Sequence, residues 1–440
     1  MSKRNFILIV IILAIIVAVI FGFFYFYQPN NQTGGTTEGT NFLANFLPFG
    51  KSKTTTPTNT NTPTDVSGYV PTTEGETQNA RLKKISSFPV AGYGVFMKER
   101  FTPTEVGAPT QVGEEIKNTK PVVPPTEFAP ALRYVNKATG NIYQTFVDRI
   151  DERKFSSTVI PRVYEAFFGN KGESVVMRYL KGDNKTIETF VGTLPKEYLG
   201  ADSIGTSEII GSFLPENISD VSISSDASKM FYLFDVGENT LGVVYLLGTN
   251  TKTQVFDSPF SEWLSFWPNN KTITVTTKPA SNVPGYAYVI NSDKKDFNKI
   301  LGEINGLTTL ASPDSKKILY SDNNLSLSIF NTETENSNLL GVKTLSEKCV
   351  WGTTSDIVYC AVPKFIDRGQ YPDSWYQGEV SFSDQIWKID VVSGNTIMLV
   401  DSASLGGEEV DGIKLNLDEN QNFLLFVNKK DSYLWELNLK

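Results

Sequence analysis

From Arg81 onward, apolar and polar residues alternate over short runs that end in clusters of Gly, Pro, Asn, Asp or Ser, and sustained 3.6-residue periodicity is hard to find. This pattern predicts short β-strands joined by tight turns. Its sharpest instance is Ala311-Ser312-Pro313-Asp314-Ser315-Lys316-Lys317-Ile318-Leu319-Tyr320-Ser321: a strand end, a Pro-Asp-Ser turn and a second alternating strand. Weaker copies occupy residues 163–176, 221–232, 264–273, 349–359 and 413–424. The turns fall 43 residues apart from Asp226 to Asn269, 45 on to Asp314 and 41 on to Ser355. Helical repeats of that period would need helix pairs, which the strand-rich composition argues against. A second hairpin follows in each unit, and residues 385–399 line up with residues 132–145, both turning at Gly-Asn.

The N-terminal residues follow another pattern. From Phe6 to Tyr27 no residue is charged, and such a run would span about 33 Å as a helix, enough for a ~30 Å hydrocarbon core. It ends in Phe23-Phe24-Tyr25-Phe26-Tyr27 rather than in the small residues of a cleavage site, so an uncleaved transmembrane helix is predicted. Lys3 and Arg4 precede it and the first later charge is Glu38. The positive-inside rule therefore places residues 1–5 in the cytoplasm and the remainder outside. Residues 28–80 are rich in Thr, Asn, Gly and Pro and read as a flexible linker. Within it, Phe42, Leu43, Phe46, Leu47 and Phe49 suit a short amphipathic turn for a membrane or partner, or a hydrophobic spot in the linker.

The Ser312-to-Lys317 unit resembles the Ser-Pro-Asp-Gly-Lys-Lys unit of WD40-like, TolB-type β-propeller repeats. That resemblance implies an all-β propeller over residues 81–440 with about seven four-stranded blades, six and eight being the alternatives. Residues 432–439 read as a third strand with no fourth after it, and residues 80–86 resemble an outermost strand. Pairing them would close the ring and remove exposed edges.

Forty Lys and Arg against 48 Asp and Glu give a net charge of -8, which a nucleic-acid backbone would repel. Nucleic acid is not an expected partner. The absence of histidine excludes Ser-His-Asp and Cys-His chemistry and leaves carboxylate-only catalysis open. Nothing resembles an EF-hand, a phosphate loop or a zinc cluster, so no cofactor or metal is expected. Asp226, Asp314 and Asp418 read as turn-stabilising residues rather than ligands. Cys349 and Cys360 face each other if Thr354-Ser355 is a two-residue turn, and a disulfide is expected; two small buried hydrophobes are the alternative.

Two long interruptions, from Arg100 to Pro130 and from Phe365 to Asp384, are both assigned to the connection between second and third strands. The resemblance then implies that they share the face on which propellers usually bind. Tyr371, Trp375 and Tyr376 in the second are candidates for a flat platform suited to a sugar ring or a protein, or for packing the loop onto its blade. The leading functional reading is a non-enzymatic, membrane-anchored module binding an envelope protein or glycan outside the cell. A carboxylate-dependent glycan hydrolase and a structural subunit of an envelope complex are the alternatives.

Overall fold

The computed structural model describes residues 81–102, 125–197, 208–292, 295–403 and 408–440. The expected membrane helix at residues 6–27, the linker at 28–80 and most of the stretch from Arg100 to Pro130 lie outside the described residues. Among the described residues, no helix is long and apolar enough to cross a membrane.

The described residues hold 28 strands paired into seven four-stranded antiparallel sheets. Blade 1 comprises Val90–Phe101, Thr126–Asn136, Ile142–Phe146 and Arg149–Lys154; blade 2 comprises Val163–Gly169, Ser174–Leu180, Ile187–Thr193 and Ile210–Phe213. Asp220–Ile223, Lys229–Val236, Asn239–Leu246 and Lys252–Ser258 form blade 3, and Trp263–Phe266, Thr272–Thr277, Pro284–Asn291 and Phe297–Asn305 form blade 4. Thr308–Ala311, Lys317–Ser321, Ser326–Asn331 and Ser337–Lys343 make blade 5. Cys349–Trp351, Ile357–Pro363, Asp384–Asp390 and Thr396–Asp401 make blade 6. Blade 7 takes Gly412–Leu417, Phe423–Asn428 and Leu434–Asn438 from the end of the chain and Leu82–Lys84 from its beginning. Leu82 pairs with Leu437 and Lys84 with Trp435, so the ring closes through the shared blade expected from the sequence.

Second strands of blades 3, 5, 6 and 7 carry unbroken apolar runs rather than alternation because each blade is covered on both faces. Met230, Phe231, Tyr232 and Leu233 are all buried, Met230 and Tyr232 against blade 2 and Phe231 and Leu233 against blade 4. An apolar cluster bridges each successive pair of blades, and the one containing Val90, Leu132, Tyr134, Leu425 and Leu434 joins blade 7 to blade 1. First strands of blades 1 and 2, of blades 3 and 4 and of blades 6 and 7 touch each other. In blade 1 that approach requires glycine: a Cβ on Gly92 would lie 1.9 Å from the Ala166 carbonyl oxygen of blade 2.

From blade 2 to blade 7, first turns of successive blades are hydrogen-bonded to one another. The Asn170 amide donates to the Ala227 carbonyl at 2.6 Å, Asn269 Nδ2 to Ser315 Oγ at 2.6 Å and Gln421 Nε2 to Thr353 Oγ1 at 2.8 Å. These turns therefore share one face, with the third turns beside them. Second turns and blade-to-blade connections lie on the other. The turn aspartates act as expected: Asp314 Oδ1 accepts from Ser312 Oγ and the Lys316 amide, and Asp418 Oδ1 from the Phe423 amide at 2.6 Å. Ser315, Ala227, Ser355 and Gln421 adopt the left-handed conformation, with φ from 54° to 59°, at the position that is glycine in the repeat unit the sequence resembles. Geometry is retained although the sequence signal is weakened.

Two assignments made from the sequence require correction. Arg100 pairs with Glu127 and Phe101 with Thr126, so the interruption in blade 1 joins its first and second strands. The interruption in blade 6 joins the second and third, so the two leave and rejoin their blades at opposite faces. Likewise, residues 132–145 form the second and third strands of their blade and residues 385–399 the third and fourth. The confusion has a local cause, because both turns are built alike: Asn136 Oδ1 accepts from the Ala138 and Thr139 amides, as Asp390 Oδ1 does from Val392 and Ser393.

Cys349 and Cys360 face each other in the expected register and form a disulfide, with Cα atoms 4.0 Å apart. Replacing both with alanine is expected to lower stability by about 2–3 kcal/mol, the usual effect of closing a loop this short. Urea unfolding checks this, and free-thiol labelling of denatured, unreduced protein should find no reactive thiol.

Candidate functional site

Between the second and third strands of blade 6, residues 364–383 form a long ordered loop on the second-turn face. Its ends are tied by the Lys364 amide donating to the Ser383 carbonyl at 2.8 Å. A single helical turn, Asp373–Tyr376, forms its middle. Asp373 Oδ2 accepts from the Ser281 amide of blade 4 at 2.7 Å. Tyr371, Trp375 and Phe382 pack with Leu325 and Leu345 of blade 5 and Ile413 of blade 7. From blade 7, Lys429 donates to the Trp375 carbonyl, its ammonium 4.4 Å from the indole centre. The loop is thus pinned to four blades.

Beneath it lies a network of buried charge. Lys348, fully buried just before the first strand of blade 6, donates to Asp384 Oδ2 at 2.8 Å and also pairs with Asp411. Asp411 in turn accepts from Trp375 Nε1 at 2.9 Å, Ser381 Oγ at 3.1 Å and the Phe382 amide at 3.0 Å. Burial alone would raise the Asp411 carboxyl, but the Lys348 charge and these donors outweigh it and hold the group below the usual carboxylate range. For Asp384 burial wins: its carboxyl is pushed up to about 6, with Oδ1 left without a partner.

At the margin of the network, burial raises Glu347 to about 7, and its Oε1 has no partner. Near this carboxyl, desolvation and then the Glu347 charge push the Tyr376 phenol well above its ordinary range. Burial lowers the Lys429 ammonium.

The structure brings Tyr371, Trp375 and Tyr376 into one loop but not onto one exposed platform. Tyr371 and Trp375 are each 4% exposed and face the blades, whereas Tyr376 is 36% exposed. Phe365, at 75%, and Ile366 instead form an outward apolar pair within the exposed stretch 364–370. Sequence reasoning missed Phe365 and Ile366 as surface residues and Glu347, Lys348, Asp384, Asp411 and Lys429 as a group. One signal was present: Lys348 and Asp411 each occupy the residue before the first strand of adjoining blades, where a buried position would favour an apolar side chain.

The strand pairing defines the molecule as a seven-bladed β-propeller. No family model and no curated protein matches the chain. Similar solved structures include TolB from Acinetobacter baumannii, with 13% identity, TM-score 0.38 and an alignment covering 59% of each chain. The match thus spans about three fifths of the TolB chain. An oligogalacturonate lyase from Vibrio parahaemolyticus aligns over 71% of this chain and 86% of its own with 9% identity and TM-score 0.46. An oligogalacturonate lyase in complex with manganese aligns over 70% and 85% with 10% identity and TM-score 0.44.

Proposed function

We propose that this chain is a non-enzymatic binding module, anchored in the cell membrane by residues 6–27 with the propeller outside, and that the 364–383 loop holds a protein partner. The observation that carries the proposal is the consumption of the site's charges by each other. Lys348, Asp384 and Asp411 are spent in a buried network that pins the loop, which leaves an ordered support presenting Phe365 and Ile366 to solvent. Exposed apolar side chains on a rigid support lose little freedom on docking and are suited to a protein hot spot. Burial of Tyr371 and Trp375 removes the flat platform on which a glycan reading rested. The Cys349–Cys360 disulfide supports an oxidising, extracytoplasmic compartment.

The test is cross-linking on intact cells followed by capture of wild type and of Phe365→Ala with Ile366→Ala. A species captured by wild type should fall about tenfold or more in the variant, consistent with loss of about 1.4 kcal/mol or more, while the melting temperature stays unchanged. Equal capture would contradict the proposal, as would a propeller protected from external protease.

A further inference from the structure

The charged groups beneath the loop are chemically able to react with one another. The side chains of Lys348, Asp384 and Asp411 are fully buried, and Lys348 Nζ donates to Asp384 Oδ2 at 2.8 Å while also pairing with Asp411. The Trp375 and Phe382 rings each lie 5.1 Å from the same nitrogen, which completes a site closed to water. Its two carboxyls differ. Both oxygens of Asp411 are engaged, Oδ1 by Lys348 and Oδ2 by Trp375 Nε1, Ser381 Oγ and the Phe382 amide, so this group is held in its charged form. Asp384 has only Oδ2 engaged, by Lys348 and by the Gly412 amide at 2.7 Å. Its Oδ1 is buried without a partner, and burial drives the carboxyl toward the neutral, electrophilic form. A simple ion pair accounts for every other contact here but leaves that oxygen unexplained.

We infer that Lys348 and Asp384 condense into a side-chain amide, with Asp411 relaying the proton, so that a covalent bond between Nζ and Cγ closes the base of the 364–383 loop. The ion pair of the structure is the reactant state. One ammonium proton passes to Asp384, giving an amine and a carboxylic acid, the form that a site without water favours. The nitrogen lone pair then attacks Cγ, while Asp411 takes a second proton from the nitrogen and delivers it to the departing oxygen. The Nζ–Cγ bond forms and the Cγ–Oδ1 bond breaks. One water leaves with two of the three ammonium protons, the third stays on the amide, and Asp411 ends as the carboxylate it began as. Oδ2 remains on the Gly412 amide, which also stabilises the oxyanion of the tetrahedral intermediate. The atom lost is the unpartnered Oδ1, so the reaction removes two buried charges and an orphaned acceptor together. Held contact between the groups supplies the drive, since effective molarities of about 10⁵ M or more follow from such fixed geometry. The bond joins residues 36 positions apart and, unlike the neighbouring disulfide, survives reduction. Removing Lys348 leaves two carboxyls without it in either state, so the bond adds to that cost rather than replacing it.

Peptide mapping by mass spectrometry of the full chain, denatured, reduced and cut after Lys and Arg, tests the bond. Wild type is expected to give residues 344–364, uncut at Lys348, joined to residues 369–388, the branched product being one water lighter than the sum of its parts. Asp384→Ala should release the segments separately, with cleavage after Lys348 restored. A proton relay typically contributes about 10²-fold or more in rate, so Asp411→Asn collected soon after synthesis should be mostly unlinked. Recovery of Lys348 and Asp384 from wild type in separate peptides of full sequence mass would overturn the inference. So would a link from Lys348 to Asp411, or a one-water deficit confined to a linear peptide, which cyclisation at Asp411-Gly412 would produce. Equal linkage in Asp411→Asn would overturn the relay. If a variant fails to fold, the wild-type map alone decides. None of these results bears on the binding proposal, which fails separately if Phe365→Ala with Ile366→Ala leaves capture intact.

Discussion

Removal of residues 81–86 from the full chain is expected to lower stability by about 6 kcal/mol and the melting temperature by about 10 °C. This segment supplies the outermost strand of blade 7 and with it the closure of the ring. Leu82 is 7% exposed and Ile85 4% exposed, and truncation of one such side chain typically costs about 2–5 kcal/mol. Backbone bonds add to this, from the Ile85 amide to the Leu434 carbonyl at 2.7 Å and from the Asn438 amide to the Arg81 carbonyl at 2.8 Å. Lys83 also pairs with buried Glu436 at 3.0 Å, which deletion would leave uncompensated. The milder Leu82→Ala with Ile85→Ala should reproduce most of the loss. Calorimetry checks both, and a melting temperature within 2 °C of wild type, about the shift that 1 kcal/mol produces, would show that the ends do not hold the ring together.

Lys348→Met is expected to cost about 3–5 kcal/mol, because it strips the buried ammonium that pairs with both Asp384 and Asp411 and leaves the two carboxylates without it. The loss should be larger at pH 8 than at pH 5. Asp384, raised to about 6 even with Lys348 present, takes up a proton on acidification and relieves the repulsion. Addition of Asp384→Asn and Asp411→Asn should recover much of the stability, since a charge-free set no longer buries an unpaired ion. Urea unfolding at the two pH values measures all three proteins. An equal loss at both pH values, or no recovery in the triple variant, would mean that Lys348 acts through packing alone.

The ring was legible in the sequence because its signals are local and repeated. A turn such as Ser312-Pro313-Asp314-Ser315 and its flanking strands specify one hairpin, and recurrence at a near-constant period specifies the blades. Position within a blade was not legible, because the Asn136 and Asp390 turns use the same side-chain-to-amide bonds at different places in their sheets. The disulfide was readable from register alone, since the spacing of Cys349 and Cys360 about a two-residue turn fixes their pairing. The site was only partly readable. Its aromatic residues stand out in composition, but whether Trp375 faces water or Asp411 depends on a contact across 36 residues of chain. Nothing local to Lys348 announces that residues 36 and 63 positions away will surround it.

The most direct measurement places a photo-activated cross-linking residue at position 365 of the full chain in intact cells and, separately, at position 392. Val392, 71% exposed, matches Phe365 in apolar exposure but sits on the third turn of blade 6, on the opposite face. Irradiation should join position 365 to one discrete protein species and leave position 392 unlinked or linked diffusely. Cross-linking to the same species from both positions, or from 392 alone, would contradict the assignment of the binding face to the loop over blades 4 to 7.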